Sequence, residues 1–251
     1  MQKVNLQLRL KLARHHSHTE EDTILIKKER HVLVIFPHPD DEAFGVSGTI
    51  SSYRDMGVPV TYACLTLGEM GRNLGNPPFA NRESLPQIRK EELKLACEAM
   101  GLDDLRMMGL RDKTVEFEDD EKMVKLVTDL IEETNPSLVI TFYPDLAVHP
   151  DHDATGRAVV RAVRRMPEIE RPTIYALAFA NNSVEVLGEP DVTHDITANA
   201  NKKIATLKAH ASQTVWMMIE MEKKLEALDP DSLKWLNFER FYTYRWDRDF
   251  V

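Results

Sequence analysis

From residue 31 onward, runs of apolar residues alternate along the chain with segments of helical spacing. The first run, HVLVIF at residues 31–36, is continuous and rich in β-branched residues, which is typical of a strand buried on both faces. Runs of the same kind occupy residues 60–66, 105–110, 137–143 and 173–179. The pattern therefore predicts at least five buried strands.

The segments between these runs have the 3.6-residue periodicity of amphipathic helices. Helices are predicted over residues 43–56, 89–100, 120–133 and 155–165. Strand–helix–strand repetition of this kind predicts an α/β fold, with a doubly wound, mostly parallel Rossmann-like sheet and helices on both faces. Beyond residue 183 we expect a C-terminal cap. Its predicted elements are one long helix or two joined helices at 200–226, and a late strand or packing tail at 235–246.

Residues 1–28 differ from the rest of the chain. Basic residues alternate with leucines there, and His15, His16 and His18 follow. We interpret residues 1–28 as a disordered or non-native leader, and residues 29–251 as a single domain. A short amphipathic helix on a partner or a membrane surface is the alternative for this segment.

The composition of the chain argues against several classes of protein. The formal net charge is −9, which argues against nucleic acid as a partner because a phosphate backbone requires a basic surface. We expect no membrane span and no signal peptide, and hence a cytoplasmic protein. Cys64 and Cys97 lie in apolar runs and are predicted to be buried, reduced thiols. A homo-oligomer is compatible with the sequence.

Two polar clusters follow predicted strands. HPDDE at residues 38–42 comes directly after the first strand, and HPDH at residues 149–152 follows the fourth strand after a short loop. Ligands of open parallel sheets bind at the carboxyl ends of the strands, near the point where the strand order reverses. We therefore expect the two clusters to face each other across one crevice.

The residue types in these clusters suit a catalytic zinc site, which takes three protein ligands and a water. His38 and Asp41 are three residues apart and can reach one ion, and His152 can supply the third bond from the opposite loop. Asp40 and His149 then remain beside the metal. A carboxylate there can accept a proton from water and a histidine can donate one to a leaving amine, so the pattern predicts amide hydrolysis. Iron(II) or cobalt can fill similar sites.

Two other interpretations remain open at this point. Asp41 alone would also suit a helix N-cap, with His38 paired to a carboxylate. A binding module that has lost activity, for a metal or a nucleotide, is the alternative to an enzyme, although such a module has no use for Asp40. The glycines after the second strand do not form the GxGxxG fingerprint of dinucleotide sites.

The clusters resemble those of the LmbE or PIG-L-like family of zinc N-deacetylases, from about residue 30 to about residue 215. PHPDDE at 37–42 and HPDH match the family's two motifs, and TLGE at 66–69 and KAHASQ at 208–213 also match. The resemblance implies one zinc ion per chain. It also implies a set of roles: His38, Asp41 and His152 as ligands, Asp40 as general base, His149 as acid or oxyanion stabiliser, and Asp151 orienting His149.

Within this family, segments such as GEMGRNLGNPPFANRE and TFYPDLAVHPDHDATG are similar to the second type of bacillithiol biosynthesis deacetylase. That similarity implies hydrolysis of N-acetylglucosaminyl-malate, a small amino sugar with a carboxylate aglycone, and release of acetate. A zinc amidase for another N-acyl amino sugar, a chito-oligosaccharide or an antibiotic sugar, is the alternative. Ala147 stands where some relatives have a tyrosine, so an oxyanion role for such a tyrosine does not carry over.

A long segment rich in proline, glycine and asparagine, residues 72–89, is predicted to form a lid beside the site. Arg72, Arg82 and Arg89 are predicted to pair with a malate carboxylate, because the guanidinium fork matches carboxylate geometry. Arg89 is the first choice, since the resemblance implies a substrate-binding arginine there. Glu69 is a further candidate at the substrate site, or else it orients a ligand histidine, as Asp112 can.

Overall fold

The computed structural model describes residues 25–247. Most of the predicted leader, at residues 1–24, lies outside the described residues, as do residues 248–251. The strands are β1 (Val32–Phe36), β2 (Val60–Cys64), β3 (Asp104–Met107), β4 (Leu138–Phe142), β5 (Thr173–Leu177), β6 (Val192–Asp195) and β7 (Phe238–Thr243). The helices are α1 (Asp41–Gly45), α2 (Ser47–Asp55), α3 (Leu85–Met100), α4 (Asp120–Thr134), α5 (Pro150–Arg164), α6 (Ser183–Leu187), α7 (Ala200–Ala209), α8 (Ala211–Glu226) and α9 (Pro230–Asn237).

Within these residues the strands form one sheet in the order β3-β2-β1-β4-β5-β7-β6. β1 to β5 are parallel, and β7 runs antiparallel to both β5 and β6. β1, β2 and β4 are buried along their whole length, which explains their continuous apolar sequences. The predicted α/β fold with a mostly parallel sheet is therefore confirmed, with an antiparallel edge that the sequence pattern did not predict.

Helices cover both faces of the sheet. On one face, α4 and α5 pack against alternate residues of β1 such as Leu33 and Ile35. On the other face, α2 and α3 pack against Val34 and Phe36 of the same strand. A third apolar cluster joins α7, α8 and α9 to Ala43 of α1 and forms the C-terminal cap. Of the predicted leader, residues 25–28 are described, and Ile26 packs against the core.

One predicted helix is interrupted in the structure. The helix expected over residues 43–56 divides at Val46, because the buried carboxylate of Glu239 accepts hydrogen bonds from the amides of Gly48 and Thr49 at the start of α2. Of the two possibilities predicted for residues 200–226, the structure has two joined helices, which meet at the fully buried His210. Residues 235–246 contribute the end of α9 and the whole of β7.

The topology places both polar clusters at one edge of the sheet. β1 and β4 are neighbours, and α1 and α5 begin just beyond their carboxyl ends. α5 packs so closely on β4 that a Cβ atom added to Gly156 would lie 2.4 Å from the carbonyl oxygen of Phe142. The Phe142 ring in turn stacks on His152, with centroids 3.9 Å apart. The predicted juxtaposition of the two clusters is therefore present.

Candidate active site

Three side chains converge where the two clusters meet. His38 Nδ1 lies 3.1 Å from His152 Nε2 and 3.5 Å from Asp41 Oδ2, and His152 Nε2 lies 3.3 Å from Asp41 Oδ1. Ligand atoms about 2.0–2.1 Å from a tetrahedral zinc ion lie roughly 3.3 Å from one another. The two imidazoles and the carboxylate thus fit a single divalent cation, as the sequence predicts for these three residues.

Local structure orients each of these three groups. The amide of His38 donates to Asp41 Oδ2 over 2.9 Å, so the loop after β1 holds its own carboxylate in place. His152 lies in the first turn of α5, and its Nδ1 is 3.1 Å from the carbonyl oxygen of Ala147. That contact, together with the stacked Phe142 ring, directs His152 Nε2 toward His38 and Asp41.

The far nitrogen of His38 faces two buried carboxylates. His38 Nε2 lies 3.2 Å from Asp112 Oδ1 and 3.3 Å from Asp151 Oδ2. Carboxylates in this position commonly orient a ligand histidine and increase its basicity. Asp151 is itself fixed, because the amides of Lys113 and Glu116 donate to its two oxygens over 2.8 and 3.3 Å.

The contacts of Asp151 differ from the predicted role. We expected its carboxylate to orient His149, whereas it contacts His38 and two backbone amides. Only the backbone amide of Asp151 reaches the His149 ring, by donating to Nδ1 over 3.1 Å. The reason is local, because both residues lie at the start of α5, where His149 caps the helix and the side chain of Asp151 points back into the core.

The electrostatics of the site favour a bound cation. Burial by itself would lower the pKa of His38, but the hydrogen bonds that its ring donates to the carboxylates of Asp112, Asp151 and Asp41 outweigh burial and raise the pKa to about 12. Burial would likewise raise the pKa of Asp41, but His152 and His38 hold it well below its ordinary value. The carboxylates therefore stabilise positive charge at this point, and a divalent ion can replace the proton.

Asp40 lies beside these groups with a different set of contacts. Its backbone has φ of 104°, an uncommon conformation for a non-glycine residue, and its amide donates to Glu42 Oε2 over 3.1 Å. Its carboxylate is 3.0 Å from Arg89 Nη2. Burial raises the pKa of Asp40 to about 6, against the opposing charge of Arg89. A carboxyl group with a pKa near neutrality is suited to accepting and releasing a proton.

Behind Asp40 lies a buried polar pair that connects distant parts of the chain. His210 Nε2 is 2.5 Å from Glu42 Oε1, and the Tyr62 hydroxyl donates to Glu42 Oε2 over 3.0 Å. Neither residue of the pair is among the predicted site residues. Both fall within segments that match the family, PHPDDE and KAHASQ, and that match was the available signal.

His149 borders the metal position from the other side. Ring nitrogens of His38, His149 and His152 lie within 4.8 Å of one another. Burial lowers the pKa of His149, and the neighbouring His38 and His152 lower it further. Because Nδ1 accepts a hydrogen bond from the amide of Asp151, the neutral ring carries its proton on Nε2. The geometry thus makes His149 a hydrogen-bond donor.

The three arginines of the predicted lid have different environments. Arg89 is buried, and its guanidinium donates to the carbonyl oxygens of Gly68 and Pro39 besides contacting Asp40. Arg82 is exposed and donates to the carbonyl oxygen of Gly71 over 2.5 Å. Arg72 is exposed and lines the cleft above the metal position. A substrate role for Arg89 stays a prediction, and its contacts indicate instead that it holds Asp40.

Glycine at position 68 permits the buried placement of Arg89. The residue has φ of 62°, and a Cβ atom there would lie 2.0 Å from Arg89 Nη1. Glu69, the next residue, does not line the cleft, and its Oε2 instead accepts from the amide of Asp112 over 3.0 Å. Glu69 therefore positions the carboxylate that faces His38, whereas the predicted roles were a place at the substrate site or direct orientation of a ligand histidine.

The cleft has a volume of about 290 Å³. It is lined by His38, Asp40, Asp41, Met70, Gly71, Arg72, Arg89, Asp112, Lys113, His149 and His152. Lys113 was not among the predicted site residues, because nothing in its local sequence distinguishes it from other surface lysines.

The chain is also similar in sequence to known proteins. Residues 33–163 match the PIG-L family, described as GlcNAc-PI de-N-acetylase. A Bacillus cereus protein named "Probable N-acetyl-alpha-D-glucosaminyl L-malate deacetylase 2" is 57% identical over 219 residues, which cover 87% of this chain and 100% of that protein. The chain therefore belongs to the PIG-L family of N-deacetylases, and the prediction of a hydrolase of this family is confirmed.

Solved structures share the fold at lower identity. N,N'-diacetylchitobiose deacetylase from Pyrococcus horikoshii superposes with a TM-score of 0.66 at 23% identity, covering 95% of this chain and 90% of that one. The 4-carboxy-2-hydroxymuconate hydratase of Pseudomonas putida has a TM-score of 0.64 at 19% identity, covering 88% and 100%. The same fold thus occurs with a different reaction, so the chemistry must be argued from the site. Among residues 25–247, no helix has the length and apolar character needed to span a membrane.

Proposed function

We propose that this chain hydrolyses the acetamide of N-acetylglucosaminyl-malate and releases acetate and the free amino sugar. The observation that carries the reaction type is the convergence of two imidazoles and a carboxylate at 3.1–3.5 Å, next to the separate carboxylate of Asp40. The choice of substrate rests on the similarity to the Bacillus cereus relative, whose whole length this chain matches.

The proposed metal ligands are His38 Nδ1, one or both oxygens of Asp41, and His152 Nε2. A divalent ion held by these atoms supplies Lewis acidity, which polarises the amide carbonyl and lowers the pKa of water. Zinc is the ion that we propose, since nitrogen and oxygen donors in this number are typical of catalytic zinc sites. Asp112 and Asp151 keep His38 oriented and increase its basicity.

Asp40 acts as the general base in this proposal. Its carboxylate accepts a proton from the attacking water, and Arg89 and Glu42 keep the side chain and the strained backbone in position. His149 donates a hydrogen bond from its Nε2 to the developing oxyanion, from the opposite side of the cleft, and Asp40 passes the proton that it took from water to the leaving amine. Each of these steps needs a group beside the cation that is not itself a ligand, and Asp40 and His149 are such groups.

A cytoplasmic location and a small-molecule substrate with a carboxylate aglycone belong to the same proposal. A homo-oligomer stays a prediction.

The proposal is tested by comparing three substrates under identical conditions. The protein is stripped with chelator, reloaded with zinc, iron(II) or cobalt, and assayed for acetate release from N-acetylglucosaminyl-malate, N-acetylglucosamine and N,N'-diacetylchitobiose. We expect metal-dependent hydrolysis with the highest kcat/KM for the malate glycoside. Faster turnover of the neutral disaccharide would replace this substrate with a chito-oligosaccharide, and activity without metal would refute the metal-dependent mechanism.

A further inference from the structure

Two exposed cations stand at the mouth of the cleft. Arg72 and Lys113 both line the cavity that contains the metal ligands, and both are exposed to solvent. Among the described residues, the Arg72 guanidinium and the Lys113 ammonium have no hydrogen-bond or ion-pair partner. They come from different segments, the loop after β2 and the turn that follows β3.

The other charged groups that line the cleft are already engaged. Arg89 pairs with Asp40, and Asp41 and Asp112 both face His38. The positive charge of the two exposed side chains is therefore uncompensated within the cleft. This matters because the chain as a whole carries a formal net charge of −9 and repels anions at long range. An anionic ligand needs local positive charge of this kind in order to enter.

Backbone contacts tie the two segments together beneath these cations. The amide of Met70, two residues before Arg72, donates to Asp112 Oδ2 over 2.8 Å. The amide of Asp112, next to Lys113, donates to Glu69 Oε2 over 3.0 Å. Since Asp112 also faces His38, this pair of bonds fixes both segments relative to the metal position. The amide of Lys113 is anchored as well, by its bond to Asp151.

We propose that Arg72 and Lys113 bind the two carboxylates of the malyl aglycone while the acetamide lies at the metal position. This inference rests on the proposed function and adds the residues that determine its specificity. A dicarboxylate offers one anion to each cation, and the arginine can donate two parallel hydrogen bonds to its carboxylate. It also reassigns the role that the sequence suggested first for Arg89. The guanidinium of Arg89 is buried, its two terminal nitrogens contact Asp40 and the carbonyl oxygens of Gly68 and Pro39, and its Nε has no partner among the described residues.

The test uses the full-length, metal-loaded protein and the variants Arg72→Gln, Lys113→Gln and the double variant. We expect each single substitution to raise KM for N-acetylglucosaminyl-malate by about tenfold, and the double substitution by roughly a hundredfold, with a much smaller change in kcat. The preference for this substrate over N-acetylglucosamine should fall by the same factors. Arg72→Lys and Lys113→Arg should restore part of it because they keep the charge. Increasing ionic strength should weaken the wild type's binding of the acidic substrate and have less effect on the double variant.

Arg111→Gln is the matched control. Arg111 is an exposed cation two residues before Lys113 but does not line the cleft, so its removal changes the net charge equally. We expect its KM for the acidic substrate to change by less than about twofold, as is usual for a distant surface charge. An equal effect of Arg111→Gln and Lys113→Gln would show a general electrostatic effect and overturn the proposed contacts.

The outcomes separate this inference from the proposed function. If the wild type prefers the malate glycoside and the double variant retains that preference with metal bound, the two cations do not recognise the aglycone, and the proposed function stands. If the wild type shows no preference for the malate glycoside, the proposed substrate fails first. A loss of kcat on both substrates without a change in KM would assign Arg72 and Lys113 to the scaffold of the site and also overturn the inference.

Discussion

Replacing Arg89 with glutamine should impair hydrolysis of acidic and neutral substrates by the same factor. Arg89 Nη2 lies 3.0 Å from Asp40 Oδ2, and the two side chains are 4% and 18% exposed. At an effective dielectric constant of about 20 this separation corresponds to roughly 5.5 kcal/mol of gross Coulomb attraction. Because desolvation offsets much of that attraction, the relevant quantity is the cost of leaving one partner buried and unpaired, about 3–5 kcal/mol.

This loss should appear in both stability and activity. For a domain of this size, about 3–5 kcal/mol corresponds to a decrease in Tm of roughly 6–20 °C. Asp40 should also lose its position beside the metal, and a displacement of about 1 Å of a catalytic group can reduce the rate about a hundredfold. We therefore expect Arg89→Gln to lower kcat/KM by about a hundredfold for N-acetylglucosaminyl-malate and equally for N-acetylglucosamine.

Thermal denaturation, metal analysis and kinetics on both substrates measure these effects together. Lys90→Gln is the matched control, because it removes a cation from the neighbouring position of α3 and should change Tm and rate only slightly. Arg89→Lys should recover part of the activity, since the ammonium keeps the charge near Asp40. A loss confined to the acidic substrate, with metal and Tm intact, would refute this reasoning and return Arg89 to the substrate-binding role that the sequence suggested.

Three further predictions concern the metal, the base and a buried histidine. His152→Ala should lose most of the single metal ion per chain, as measured by elemental analysis, and retention of a full equivalent would remove His152 from the ligand set. Asp40→Asn should keep the metal but lower kcat by about 10²–10⁴, whereas an emptied site would make Asp40 a ligand. Burial lowers the pKa of His194 to about 4, below its value of about 6.5 in the unfolded chain. As the pH falls from 6.5 to 4, the unfolded chain therefore binds a proton at His194 that the folded chain does not, and the free energy of unfolding should decline. The loss between pH 7 and pH 4.5 should be about 2 kcal/mol, and a His194→Gln variant, compared by denaturant unfolding at these two pH values, should show a decline smaller by that amount.

The parallel strands and the position of the site follow from the pattern of apolar and polar residues along the chain. A strand buried on both faces in a parallel sheet must be apolar along its length, so β1, β2 and β4 are visible as continuous runs. The two polar clusters follow β1 and β4, and the carboxyl ends of parallel strands in this architecture meet at the reversal of strand order. Residue type and spacing then sufficed to place His38, Asp41 and His152 together.

The partner of each charged side chain, in contrast, depends on how the chain folds. Arg72, Arg82 and Arg89 share one segment, and sequence spacing cannot distinguish a buried guanidinium bound to Asp40 from one exposed at the cleft mouth. The same holds for the pairing of His210 with Glu42 across 168 positions, which depends on a helix break at His210. Periodicity reports which face of an element is apolar. A long polar side chain takes its position from the hydrogen-bond acceptors around it. Residues distant in the sequence supply those acceptors, and only folding brings them within hydrogen-bonding distance.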